Sequence, residues 1–184
     1  DTGRAVTLDD VPDGALDRIA ALGVDWVWLL SVWTTGTAAR AISRANPEWR
    51  AEFAHTLPDL REEDIGGSGF AITGYAAHPS LGGDEALARL RARLRARGLR
   101  LMLDFVPNHM APDHSWADSH PEYFVAGTET DLEREPRNYT RIGGRVLAYG
   151  RDPYFDGWPD TLQLDYSHPA TQPGMAARLT RIAG

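Results

Sequence analysis

The sequence predicts an α/β fold with a parallel sheet, because helical and strand-like segments alternate along the chain. Residues 13–22 carry apolar side chains at helical spacing and end at Gly23, a common helix stop. The run VDWVWLL follows and is apolar at consecutive positions, which is typical of a strand buried on both faces. A second helix over residues 84–97 and a second apolar run, LRLMLDFV, repeat the pattern.

The helix over residues 84–97 is expected to begin with Asp84 as its N-cap and to end at Gly98. Leucines at 87, 90 and 94 share one face, and five arginines spread over the others. We interpret this helix as an outer element with a solvated charged face, rather than as a nucleic-acid-binding segment.

Length, composition and net charge exclude several classes of function. The chain has 184 residues, 42% hydrophobic and 24% charged, as expected for one globular domain. A net charge of −7 argues against nucleic acid as a partner, and no apolar run approaches the ~20 residues that cross a membrane. The absence of cysteine excludes disulfides and thiolate metal sites. The compartment is not fixed; the lack of a signal-peptide pattern favours the cytoplasm, although the start at Asp1 indicates a processed chain.

Two long stretches lack strong periodicity. Residues 31–83 contain one expected helix, near NPEWRAEFAHTL, and a glycine-rich turn. Residues 107–166 are rich in turns and too long for an ordinary connection, so we expect a functional insertion or small subdomain there. Pro169 is expected to open a last helix.

The stretch LMLDFVPNH contains the strongest functional signal in the residues themselves. Asp104 lies near the carboxyl end of an apolar strand, and Asn108 and His109 follow just past it. Ligands of parallel α/β sheets bind at this end of the strands, and a carboxylate there needs a cation or several donors. These residues therefore predict a ligand-facing site; the alternative is that Asp104 binds loop amides and His109 caps a turn.

DFVPNH resembles the first signature region of the α-amylase family of glycoside hydrolases, family 13. The likeness continues in the family's order along nearly the whole chain. LGVDWVWLLSVW is similar to the second barrel strand, and GFAITGYAAHPSLGG to the approach to the third. NHMAPDHSW with PEYF resembles the start of the family's inserted subdomain, and WPDTLQLDYSHPATQ its exit.

The resemblance implies a partial (β/α)8 TIM barrel, with strands 2 and 3, their helices and a subdomain inserted after strand 3. Residues 1–106 would then be the N-terminal part of the barrel, residues 107–166 the inserted subdomain, and residues 167–184 the helix before the fourth strand. The implied activity is retaining hydrolysis or transglycosylation of α-glucosidic bonds. The implied partners are an α-linked glucose oligosaccharide or polysaccharide and the remainder of the barrel, with no nucleic acid and no membrane.

The resemblance also assigns roles to single residues. His109 would hydrogen-bond the sugar in the cleavage subsite, and Asp104 would support it from the strand end. Phe70 stands where the family has a tyrosine that stacks on the sugar, so stacking is kept and a hydroxyl is lost. Asn108 and Asp165 match two calcium positions of many amylases; no cofactor is required, but Ca²⁺ is a candidate.

Further features keep alternatives open. Tyr75 could contact substrate, although core packing explains it equally well. The glucosidase aspartate position is Gly67 here, which argues against a simple exo-acting α-glucosidase. The family's nucleophile and acid motifs are not found, so we expect both beyond Gly184 and an inactive chain on its own. Two other hypotheses are a non-catalytic carbohydrate-binding or partner-complementing module, and a metal hydrolase. The residues of that metal site would be His109, Asp113, His114 and His120.

Overall fold

A computed structural model describes residues 6–183 of the chain. They form a mixed α/β structure whose contacts divide it into two compact units. The first unit contains residues 6–34 and 75–105, and the second contains residues 35–74 and 106–183. The predicted domain boundaries, after residues 106 and 166, rest on the family resemblance and stay predictions.

The described helices are α1 (Asp13–Ala21), α2 (Thr37–Ala45), α3 (Pro47–Thr56), α4 (Gly83–Arg95), α5 (Trp116–Ser119), α6 (Glu129–Arg134) and α7 (Thr171–Ala183). The described strands are β1 (Trp26–Leu29), β2 (Trp33–Thr35), β3 (Ile72–Ala77), β4 (Arg100–Leu103), β5 (His109–Met110), β6 (Tyr139–Ile142), β7 (Arg145–Gly150) and β8 (Trp158–Gln163). Short 3-10 turns lie at Leu8–Asp10, Glu62–Asp64, Pro79–Leu81 and Pro121–Tyr123. Within residues 6–183, no helix combines the length and apolarity that crossing a bilayer requires.

The first unit is built on a parallel pair of strands, β1 and β4, as the alternation of helices and strands predicts. One face of the pair is covered by α1 and α4. Their side chains Leu16, Leu90 and Leu94, together with Leu99, form a buried cluster against Val27 and other strand residues. The prediction from the leucine spacing of α4 is thus confirmed, because these leucines lie on one helix face that is buried on the sheet.

The opposite face of this strand pair differs from the sequence-based expectation. Trp26 and Trp28 are 47% and 60% exposed, and Leu30 and Met102 are 55% and 44% exposed. The prediction that VDWVWLL is buried on both faces is therefore wrong for this side. Its side chains alternate about the strand, and within the described residues the helices cover only one of the two faces.

The start of α4 also differs from the prediction. The N-cap is Gly82, which has a φ of 92°, and Asp84 lies in the first turn rather than at the cap. Asp84 accepts a hydrogen bond from the amide of Ala77 at 2.7 Å through Oδ1, so it ties the helix to the end of β3.

An arginine–aspartate ladder joins α4 to the start of the chain. Arg89 pairs with Asp9 at 2.7 Å, Arg93 with Asp13 at 2.8 Å, and Arg97 with Asp17 at 2.6 Å. Both rows repeat every four residues, about one helical turn, with Asp9 in the 3-10 turn before α1 and Arg97 just after the end of α4. The charged face of α4, which is expected to be solvated, is thus partly covered by these ion pairs. The Arg97 side chain, for example, is only 20% exposed.

In the second unit, α2 and α3 follow each other almost directly, and the expected helix near NPEWRAEFAHTL is α3. Asn46 caps it by accepting hydrogen bonds from the amides of Glu48 and Trp49 at 3.0 and 3.1 Å. The N-terminus of α2, a helix that the sequence analysis does not predict, is held by Asp113. Its Oδ2 accepts from the Thr37 amide at 2.8 Å.

The second unit contains an antiparallel sheet in the order β5-β8-β7-β6. The sequence analysis expects a functional insertion or small subdomain over residues 107–166 but places no strand there, and all four strands of this sheet lie within those residues. The strands are short, and β7 and β8 are joined through a register shift, so their sequences show no clear alternation. Phe124, Met110 and Leu162 are fully buried in this unit. Helix α7 begins at Thr171, two residues later than the Pro169 start predicted.

Candidate functional site

Asp104 lies in the first unit, just after β4, where its carboxylate organises the neighbouring loop. Oδ1 accepts a hydrogen bond from Trp28 Nε1 at 2.8 Å, and Oδ2 accepts one from the Ser31 amide at 2.6 Å. Ser31 has a φ of 62°, a left-handed conformation that is costly for serine and that the bond to Asp104 helps to hold. This geometry matches the alternative in which Asp104 binds loop amides; its support of a sugar site stays a prediction.

Tyr75 also belongs to the first unit and is 8% exposed. Its ring centroid lies 5.4 Å from that of Trp33 in an edge-to-face arrangement and 5.6 Å from that of Phe105. Such contacts are typical of aromatic core packing. Packing therefore accounts for this residue in the described structure, and a substrate contact of Tyr75 stays a prediction.

His109 lies in the second unit, on β5, and is 8% exposed. Its Nδ1 is 3.2 Å from Asn108 Nδ2, and Nε2 is buried without a hydrogen-bond partner among the described residues. Burial lowers the pKa of His109 from 6.5 to about 4, opposed in part by the backbone of Phe70. The imidazole is therefore neutral near pH 7 and can exchange a hydrogen bond with a hydroxyl group.

A cavity of about 330 Å³ in the second unit brings His109 together with Phe70. Trp158 and Asp160, at the start of β8, line the same cavity, and the Trp158 ring centroid lies 5.4 Å from that of His109. Phe70 is 40% exposed, so its ring is available at the cavity. A half-open space walled by aromatic rings, with a neutral imidazole and one carboxylate, is suited to a ligand with apolar faces and hydroxyl edges.

Two of the residues singled out by sequence thus share one cavity, His109 and Phe70. Asp104 and Tyr75 belong to the other unit, so a common surface for all four stays a prediction.

The two candidate calcium residues are engaged with protein groups. Asn108 Oδ1 accepts a hydrogen bond from Gln163 Nε2 at 3.0 Å, and Asp165 Oδ1 accepts from the Ser167 amide and hydroxyl at 2.8 and 2.6 Å. Within residues 6–183, no three histidine or acidic side chains gather as metal ligands would. These residues do not form a ready calcium cage, because an ion would have to displace those hydrogen bonds. Calcium binding stays a prediction.

The residues of the alternative metal-hydrolase hypothesis have separate structural uses. Asp113 caps α2, and His114 Nδ1 accepts a hydrogen bond from the Trp116 amide at 3.0 Å. The His120 ring stacks on that of Tyr123 at 4.7 Å. Each side chain has a local task that does not need a shared metal.

Sequence reasoning missed Trp49, Trp158 and Asp160 as cavity residues. In the sequence, the stretch WPD resembles only the exit of the inserted subdomain, and Trp49 is predicted only as part of a helix. The sequence signal for Trp49 is a large aromatic residue in a helix that has no clear apolar stripe. Because such a side chain does not belong to a core-facing helix surface, it can line a cavity instead.

Comparisons with known proteins agree with these observations. Residues 13–142 match the family "Alpha amylase, catalytic domain". A maltosyltransferase of Burkholderia pseudomallei, named alpha-1,4-glucan:maltose-1-phosphate maltosyltransferase, is 33% identical over 150 residues, which cover 77% of this chain and 12% of that protein. The enzyme of the same name from Mycolicibacterium smegmatis is 34% identical over 142 residues, or 76% of this chain and 19% of that protein.

Among solved structures, an alpha-amylase from Lactobacillus plantarum is similar, with a TM-score of 0.61 and 25% identity. The match covers 94% of this chain and 31% of that one. The chain spans less than a quarter of the curated maltosyltransferases that it matches. The matched family domain extends over most of the chain, and the relatives and the solved structure agree with it, so the chain belongs to the α-amylase family.

Proposed function

We propose that this chain forms part of the sugar-binding wall of a retaining α-amylase-family enzyme that cleaves or transfers α-glucosidic bonds. The observation that carries the proposal is the cavity in which His109 and Phe70 meet, in a chain of this family. The rings of Phe70 and Trp158 offer apolar surfaces to the faces of a glucose unit. Neutral His109 offers its unpaired Nε2 to a sugar hydroxyl, which would relieve the cost of a buried polar atom without a partner.

The covalent chemistry requires carboxylates that this cavity does not supply. A retaining glycosidase uses a nucleophile and an acid about 5 Å apart. Asp160 is the one carboxylate residue among the described residues that line the cavity at His109. We therefore propose that the nucleophile and the acid come from parts of the enzyme outside these 184 residues.

The exposed strand face of the first unit supports the same proposal. Trp26, Trp28 and Met102 present a contiguous apolar stripe on β1 and β4. Large apolar groups that share one exposed face are typical of a surface that contacts other protein, a membrane or a ligand. In a (β/α)8 barrel, that face would pack into the barrel interior formed with the other strands.

Maltosyl transfer is the first activity to test. The curated relatives named above are maltosyltransferases acting between maltose-1-phosphate and α-1,4-glucan. We propose a transfer of this kind for the complete enzyme, with hydrolysis of α-glucosidic bonds as the alternative outcome.

The experiment compares the 184-residue chain with the same chain extended through the remaining barrel. Phosphate release from maltose-1-phosphate and reducing-sugar release from maltooligosaccharides are measured, with and without calcium, alongside oligosaccharide binding by calorimetry. We expect binding without turnover by the short chain and turnover by the long one. Turnover by the 184-residue chain alone would refute the proposed absence of the catalytic carboxylates.

A matched pair of variants tests the site itself. Phe70→Ala should weaken maltose binding because it removes a ring that lines the cavity. Phe155→Ala removes a ring that is 72% exposed and does not line that cavity, so binding should be unchanged. Equal affinities of the two variants for maltose would contradict the proposed sugar site. If neither the 184-residue chain nor the extended chain binds maltose, the proposed site is refuted.

A further inference from the structure

A series of hydrogen bonds runs between β5 and β8 through the side chains of Gln163, Asn108 and His109. The register of the two strands places Gln163 opposite His109, so the glutamine side chain reaches the neighbouring Asn108 across the sheet. We call this series the amide relay. Each side-chain amide has a donor end and an acceptor end, so the direction of the relay decides which nitrogen of the imidazole carries the proton.

The main chain fixes the orientation of the Gln163 amide. Gln163 Oε1 accepts a hydrogen bond from the backbone amide of Arg151 at 3.1 Å, and Nε2 donates to the backbone carbonyl of Asn108 at 2.9 Å. A backbone N–H only donates and a backbone carbonyl only accepts. With the Gln163 amide turned over, both hydrogen bonds would be lost, so Nε2 is the end that faces Asn108.

Gln163 in turn orients the side chain of Asn108. Gln163 Nε2 donates to Asn108 Oδ1 at 3.0 Å, which leaves Nδ2 as the end of Asn108 that faces His109. This Nδ2 lies 3.2 Å from Nδ1 of the imidazole and 3.4 Å from Gln163 Oε1. An amide nitrogen donates and does not accept, so Nδ1 of His109 is the acceptor.

Packing holds the imidazole in the same orientation. The ring of Trp158 meets it edge-to-face, with 5.4 Å between the ring centroids. Gly150 lies directly against His109, since a Cβ at Gly150 would be 2.9 Å from the Cβ of the histidine. Nδ1 therefore stays at Asn108, whereas Nε2 is buried without a hydrogen-bond partner among the described residues.

We propose that Gln163 and Asn108 are positioning residues that hold neutral His109 with its proton on Nε2, so that His109 donates to an oxygen of the sugar. The backbone amide of Arg151 sets this tautomer through two side-chain amides. The ligand atom that meets Nε2 must then carry a lone pair, as the oxygens of a glucan do. For the identity of the ligand this proposal rests on the proposed function, whereas the tautomer belongs to the protein without sugar.

The test is the tautomer of His109 in the 184-residue chain without sugar. Hydrogen–nitrogen correlation NMR spectra of the imidazoles distinguish a protonated ring nitrogen from an unprotonated one, and they are recorded at about pH 8, where histidine is neutral. The signal of His109 is the one that disappears in His109→Gln. We expect a proton on Nε2 and none on Nδ1, and a proton on Nδ1 would refute the proposal.

Two variants should reverse the tautomer with almost no change in side-chain size. In Asn108→Asp both side-chain oxygens accept, so His109 should carry its proton on Nδ1 and donate it to the aspartate. In Gln163→Glu the new carboxylate cannot donate, so the Asn108 amide should turn its nitrogen toward that carboxylate and its oxygen toward His109, with the same result.

Gln172→Glu is the matched control, because it makes the same change of charge at an exposed residue of α7. In this variant His109 should keep its proton on Nε2. EDTA is present throughout, so that no divalent cation binds an added carboxylate, and circular dichroism confirms that each variant is folded.

The outcomes separate this proposal from the proposed function. If the proton stays on Nε2 in both Asn108→Asp and Gln163→Glu, the relay does not set the tautomer and the proposal is refuted. In the unaltered chain, maltose should shift the Nε2–H signal, because a sugar oxygen accepts from it. If both variants reverse the tautomer but maltose neither binds nor shifts this signal, the relay stands and the sugar site at His109 is refuted.

Discussion

Two buried histidines predict that mild acid destabilises the second unit. His109 and His114 are 8% and 4% exposed. Burial lowers the pKa of each from 6.5 to about 4, and for His114 the charge of Arg178 adds to this. Because the unfolded chain takes up protons at higher pH than the folded chain, the stabilisation is complete above pH 6.5 and is lost as pH falls toward 4. When the pH is lowered from 7 to 5, each histidine should lower the free energy of unfolding by ~2 kcal/mol.

The assay is urea denaturation, followed by circular dichroism at pH 7 and at pH 5. In His114→Asn the amide oxygen can still accept the Trp116 hydrogen bond, but the group no longer titrates, so about half of the pH dependence should disappear. His55→Gln is the matched control, because His55 is exposed. Asp160, whose pKa is raised by burial, opposes the trend, and the same comparison in an Asp160→Asn background removes its contribution. Equal stability at pH 5 and pH 7 in that background would refute the argument.

Three further predictions concern stability. A Cβ at Gly36 would clash with the Asp113 carboxylate, so Gly36→Ala should displace the cap of α2 and lower the unfolding free energy measured in urea by about 1–2 kcal/mol. Gly74→Ala, where no atom lies within 4 Å of the added Cβ, should be much milder; similar losses for both would contradict the cap argument. Leu94 is fully buried, so Leu94→Ala should cost ~2–5 kcal/mol, whereas Leu22→Ala, at a site 76% exposed, should change little; the reverse order would be incompatible with the observed core. Because the aspartate side chains of the arginine–aspartate ladder are 42–66% exposed, raising the salt concentration should lower the melting temperature only slightly, and a large fall would show that the ladder contributes more than surface ion pairs usually do.

Local patterns predicted the first unit better than the second. Leu90 and Leu94 recur at helical spacing because one helix face is buried on a sheet, and this signal is visible in the sequence alone. The short strands of the antiparallel sheet leave no such signal, since their pairing depends on partners far along the chain, as between Met110 and Leu162. The prediction for the exposed face of β1 was wrong because an apolar run shows only that both faces of a strand are suited to burial. It does not show that other elements of the chain cover both faces.

The candidate site divides in the same way. His109 and Phe70 were linked through the family resemblance, and the structure places them around one cavity. Trp49 and Asp160 escaped notice because their importance arises from tertiary proximity. Nothing in the helix that carries Trp49 or in the segment that carries Asp160 shows that the two residues line the same cavity.

The arginine–aspartate ladder has a consequence for alkaline conditions. All 19 basic residues of the chain are arginine, so every cation of the ladder is a guanidinium group. Lysine loses its proton near pH 10, whereas arginine stays charged above pH 12. The contacts with Asp9, Asp13 and Asp17 raise the pKa of Arg89 and Arg97 further. The ion pairs between α4 and the start of the chain should therefore persist above pH 10, where equivalent lysine–aspartate pairs would be lost.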